Sequence, residues 1–65
     1  MNLKNIIKSL RKRLGITQAD LAEKCGVVRQ TINSIENDKY DPTLELAFKI
    51  AKSLNKRVDE VFICE

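Results

Sequence analysis

Arg29, Gln30, Asn33 and Ser34 fall within one short stretch, and each carries hydrogen-bonding groups suited to the edge of a base. An arginine can hold guanine O6 and N7 with two parallel hydrogen bonds, and Gln30 or Asn33 can do the same for adenine N6 and N7. Ile32 and Ile35 alternate with them at an i, i+3 interval, so a helix here would bury the isoleucines and turn the four polar residues outward. One polar residue on an exposed helix is ordinarily just solvated. Four on the same outer face make a candidate recognition surface. The chemistry is reading by hydrogen bonds rather than bond breaking. The chain has no histidine, no glycine-rich phosphate loop and no plausible nucleophile–base pair, so no catalytic residue is assigned and an enzyme is set aside.

The preceding residues must hold that surface. Thr17 and Asp20 have the spacing of a capping box, predicting a helix from Gln18 to about Lys24. Leu21 and Ala22 point inward, and Cys25 extends the same apolar face. Gly26 then stops the helix, where a positive φ costs glycine little. The next helix begins within two or three residues. Two short helices joined across one glycine meet at roughly 90–120° in a helix-turn-helix. Ala22 is small enough for the crossing point and Ile32 is a fitting plug. An ordinary αα-hairpin in a small bundle is the competing reading.

The segment TQADLAEKCGVVRQTINSIENDKYDPTLELAFKIAKSL resembles the helix-turn-helix core of the Cro/phage-repressor (XRE) family, whose pattern runs T-Q-x-x-L-A-x-x-x-G-V-S-x-x-x-I-S-x-x-E-N-G-K-x-x-P. The likeness spans about residues 6–62, and N-D-K-Y-D-P-T-L further resembles a subgroup of small stand-alone dimeric repressors. It implies an all-α, five-helix, lambda-repressor-like DNA-binding domain with the helix-turn-helix at helices two and three, and the option of a short terminal β-ribbon. It also implies that Arg29, Gln30, Asn33 and Ser34 face base edges, and that Asn37, Lys39 and Tyr40 meet the DNA backbone. Arg11 and Glu36 match a structural ion pair, a clamp rather than a DNA contact. Gln18, at a helix start where free N–H groups favour an anion, is a further backbone-contact candidate. The Thr31 hydroxyl reaches a phosphate or finishes the helix packing, and Tyr40 either touches the backbone or lays its ring over helix four. Two residues depart from the pattern. Val28 replaces a capping serine or threonine and either offers methyls to a thymine or packs on Ile32. Asp38 replaces glycine, which would let the chain leave helix three differently.

Sixty-five residues are expected to form one domain, 1–65, with a core small enough that a dimer interface would add needed stability. Cys25 and Cys64 have no metal-ligand spacing, so neither zinc nor a secreted disulfide framework is expected, and no cofactor is implied. No signal peptide or membrane-length apolar run is visible, and a cytoplasmic protein is expected. A net charge of +3 would not by itself indicate a polyanion partner. Its distribution says more: residues 1–15 hold five bases and no acid, residues 58–65 three acids and no base.

Leu3, Ile6, Ile7, Leu10 and Leu14 predict a first helix over 3–14, ended by Gly15. Thr43 is the expected N-cap of a fourth helix over about 44–54, with Leu44, Ala47, Ile50, Ala51 and Leu54 inward, Leu46 and Phe48 flanking, and Asn55 closing it. A short fifth helix is expected near 58–62. Val58, Val61, Phe62 and Ile63 are the expected dimer contact, and Met1–Leu3 could pair with Ile63–Glu65 as a ribbon. The reading is a repressor that binds double-stranded DNA as a homodimer on a palindrome, with no membrane and no small-molecule ligand evident. The alternative is an antitoxin or other protein-binding module.

Overall fold

The chain is described from a computed structural model over residues 3–64. In order, the elements are β1 (Leu3–Asn5), α1 (Ile7–Leu14), α2 (Gln18–Cys25), α3 (Arg29–Glu36), α4 (Leu44–Ser53), α5 (Val58–Val61) and β2 (Phe62–Cys64). β1 and β2 pair antiparallel, with Leu3 opposite Cys64 and Asn5 opposite Phe62. The expected antiparallel ribbon is therefore present over Leu3–Asn5 and Phe62–Cys64, and the part of the expected pairing that falls on Met1, Asn2 and Glu65 lies outside the described residues.

Pairing with β2 also corrects the first helix, which starts at Ile7 rather than Leu3. The Asn5 side chain accepts from the Ile7 N–H at 3.2 Å and the Ile6 N–H donates to the Val61 carbonyl at 3.0 Å. Both bonds fix the break between strand and helix. Leu3 and Ile6 had helical spacing, but Cys64 of β2 and the Val61 carbonyl at the end of α5 supply the partners that decide their conformation.

Four helices end in the same way. After α1, α2, α3 and α4 the chain passes through a residue with positive φ: Gly15 at 71°, Gly26 at 72°, Asp38 at 59° and Asn55 at 60°. In each case the next N–H returns to a carbonyl five residues back, as from Lys39 to Ser34 at 2.9 Å and from Lys56 to Ala51 at 2.9 Å. Asp38 therefore does not redirect the chain; it takes the left-handed turn that glycine would take. The helix starts differ more. Thr17 and Asp20 form the expected capping box on α2, the Asp20 N–H donating to Thr17 Oγ1 at 3.0 Å and the Thr17 N–H to the carboxylate at 2.9 Å. Thr43 Oγ1 caps α4. Val28 precedes α3 and supplies no side-chain cap.

α2 packs on both α3 and α4 and forms the centre of the molecule. Ile7, Leu21, Ile32, Ile35, Ile50, Leu54 and Val61 are its fully buried side chains, with Ala22 and Cys25 between them. On α4 the inward stripe is Leu46, Ala47, Ile50 and Ala51, so the expected places of Leu44 and Leu46 are exchanged. Leu44 is 73% exposed, because the helix phase set by Ile50 and Ala47 turns the first residue of α4 to solvent. No helix among the described residues is long and apolar enough to cross a membrane.

Candidate nucleic-acid interface

α3 is held by its own isoleucines. Burying Ile32 and Ile35 almost completely contributes about 1.5–3 kcal/mol each and fixes which face looks outward. Arg29, Gln30 and Asn33 are consequently exposed, while Ser34 and Thr31 lie half-buried at the edges of the same face. Val28, Gln30, Thr31, Ser34, Lys39 and Tyr40 surround one shallow crevice beside the helix. The structure thus brings the expected base-reading residues and three of the expected backbone contacts, Thr31, Lys39 and Tyr40, onto a single surface.

Behind it runs a connected polar network. Arg11 Nε donates to Glu36 Oε2 at 2.7 Å, and Arg11 Nη2 to Glu36 Oε1 at 3.1 Å. The remaining arm, Nη1, donates to the Ile16 carbonyl at 3.1 Å. With side-chain exposures of 11% and 4%, this is a nearly buried bidentate pair, and the bond to Glu36 raises the Arg11 pKa against the opposing effect of burial. The arginine also offsets the unfavourable placement of a carboxylate in the last turn of α3.

Gln18 extends the network. Its Nε2 donates to both Asn33 Oδ1 and Glu36 Oε1, each at 3.1 Å. Both side-chain N–H groups of Gln18 are thereby used inside the protein. Any donation from Gln18 to a phosphate falls to its backbone N–H, one of the first-turn groups that lack an intrahelical acceptor. Asn37 Nδ2 reaches the same Asn33 Oδ1 at 3.2 Å and the Asn33 carbonyl at 2.9 Å. The carbonyl oxygen of the Asn33 side chain has two lone pairs, and two donors already occupy it. The Asn33 amide oxygen is therefore committed inside the protein, whereas among the described residues no hydrogen bond engages the side-chain amide of Gln30.

Val28 is 69% exposed at the start of α3. So exposed a side chain is not packed over Ile32 as a core residue would be. The expected dimer residues divide. Val61 and Phe62 belong to the chain's own core at 0% and 8% exposure, Val58 is half-buried, and Ile63 remains 46% exposed. Near them Leu3, Leu44, Phe48, Val58, Phe62 and Cys64 line an apolar groove of about 1120 Å³ that no residue of α2 or α3 borders.

Sequence reasoning missed two residues at the far end of α3, Asn5 and Lys4, and their contacts with Asp38. Asn5 Nδ2 donates to the Ile35 carbonyl at 2.8 Å and lies 3.4 Å from Asp38 Oδ1, while Lys4 Nζ stands 3.7 Å from Asp38 Oδ2. The only sign in the sequence was the aspartate in place of glycine; Asn5 fell within the expected first helix, 3–14, which begins only at Ile7.

The helix-turn-helix family matches residues 7–61. An uncharacterized HTH-type transcriptional regulator of Methanocaldococcus jannaschii is 52% identical over 63 residues, covering 97% of this chain and 96% of that protein. Antitoxin HipB of Escherichia coli is 42% identical over 52 residues, covering 80% of this chain but 59% of HipB. Among solved structures, the restriction-modification controller protein C.AhdI of Aeromonas hydrophila superposes with a TM-score of 0.78 at 26% identity, over 83% of this chain and 82% of C.AhdI.

Proposed function

This chain belongs to the helix-turn-helix family of DNA-binding transcriptional regulators, and we propose that residues 1–65 act as one cytoplasmic domain that represses transcription as a homodimer. The observation that carries this reading is the outward face of α3, exposed at Arg29, Gln30 and Asn33 while the network behind it fixes the helix. An α-helix fits the major groove, where each base pair has its own pattern of donors and acceptors. Arg29 takes guanine O6 and N7, Gln30 takes adenine, and Asn33 and Ser34 complete the contact. Thr31, Asn37, Lys39, Tyr40 and the backbone N–H of Gln18 meet phosphates and set the register.

One protomer measures 29 × 20 × 19 Å. Two recognition helices in successive major grooves stand about 34–36 Å apart, more than one copy spans, so a palindrome needs two. The apolar groove lined by Leu44 and Phe48, with Ile63 nearby, supports self-association on a side that leaves α3 free. A bound dimer blocks a promoter by occupancy and needs no catalytic step. The antitoxin reading draws on the likeness to HipB, which covers only part of that protein.

Selection of bound sites from a random duplex library tests the proposal. A recovered palindrome with half-sites about 10–10.5 base pairs apart is expected. Recovery of no enriched sequence, or of a single asymmetric half-site, would overturn it.

A further inference from the structure

We propose that Asn5 is a positioning residue for DNA reading: it ties the last turn of α3 to the β1–β2 ribbon and so sets the angle at which the helix enters the groove. The inference rests on α3 being the recognition helix. Asn5 is held on three sides. It pairs with Phe62 across the ribbon, its Oδ1 accepts from the Ile7 N–H at 3.2 Å, and its Nδ2 donates to the Ile35 carbonyl at 2.8 Å. Lys4, its neighbour on β1, stands 3.7 Å from Asp38 Oδ2 just beyond the same helix end. The ribbon therefore grips α3 at its C-terminus, while Arg11 holds Glu36 from α1.

Geometry makes that grip matter at the far end. Arg29 lies six residues, about 9 Å, from Ile35 along α3, so a tilt of about 10° pivoting near Ile35 moves Arg29 by roughly 1.6 Å. Two-pronged hydrogen bonds to a base tolerate only a few tenths of an ångström of misplacement, roughly the 2.7–3.2 Å window of an N–H···O bond. Contacts to phosphates through a flexible lysine are far more forgiving.

Two substitutions separate this role from simple helix capping. Asn5→Asp keeps an oxygen for the Ile7 N–H but removes the donor to Ile35 and places a carboxylate against that carbonyl and against Asp38. Asn5→Ala removes both bonds. Each is compared with the wild-type protein for binding to the selected operator duplex and to a scrambled duplex of equal length, at a temperature where circular dichroism shows all three folded. The ratio of the two affinities cancels the charge that aspartate adds to both. Both variants are expected to lose operator preference by about fivefold or more, the lower end of what one bidentate base contact contributes, while scrambled-duplex binding changes little apart from charge. An unchanged ratio in Asn5→Asp would reduce Asn5 to a cap on α1 and overturn the proposal, as would equal losses on both duplexes. If the wild-type protein itself prefers no sequence, the reading of α3 falls and this proposal with it.

Discussion

Arg29 stands at the free end of α3 with nothing in the network of Arg11, Gln18, Asn33 and Glu36 to occupy it, which suits a side chain reserved for a base. Arg29→Ala should lower operator affinity by about 1–3 kcal/mol and relax preference at one base position, measured by binding to single-base operator variants. Val28 illustrates the opposite balance: α3 begins without a side-chain cap. Val28→Thr should raise unfolding stability by about 0.5–2 kcal/mol in a urea titration; no gain would mean that the α3 N-terminus is already satisfied. Asp20 carries a pH signature. Bonds from Thr17, its backbone N–H first and then its hydroxyl, hold the Asp20 carboxyl below its usual range. A depressed folded-state pKa contributes stability above the unfolded value of about 3.9 that disappears as pH falls through the folded value. The difference in melting temperature between wild type and Asp20→Asn should accordingly be present at neutral pH and shrink below about pH 4.

The helix-turn-helix itself was legible in the chain because its determinants are local. Thr17 with Asp20, Gly26, and Ile32 with Ile35 each act within one turn of themselves. Placement failed where a distant segment decides. Leu3 and Ile6 have helical spacing, but β2 claims the first and the end of α5 the second, and Leu44 has the right character for the core but the wrong phase on α4. Asp38 looked like a disruption, yet aspartate tolerates the left-handed turn well enough for α3 to close as α1 and α2 do with glycine. At the candidate interface the outward residues followed from periodicity, whereas the double occupation of the Asn33 oxygen and the grip of Asn5 depend on partners 15 and 30 residues away. The Arg11–Glu36 pair joins α1 to α3, and Glu36→Gln should cost about 3–5 kcal/mol of stability by leaving a nearly buried guanidinium uncompensated. Replacing both residues by leucine should cost less than Glu36→Gln alone; a larger loss in the double variant would mean that the pair stabilises beyond its own compensation.

The molecule as a whole divides its surface into a polar side built on α3 and an apolar groove bordered by α4, α5 and the ribbon. Phe62 is a core residue, so the dimer is better tested at Phe48, 58% exposed on the groove. Phe48→Asp should give folded monomers in sedimentation and weaken operator binding, and a persisting dimer would move the interface elsewhere. The central claim is that the outward face of α3 enters the major groove. Its most direct test follows the backbone and side-chain amide resonances of the isotopically labelled protein as selected operator duplex is added. The largest shifts are expected at Arg29, Gln30 and Asn33, with smaller ones at Gln18, Asn37 and Lys39. Shifts confined to α4 and α5, or none along α3, would contradict it.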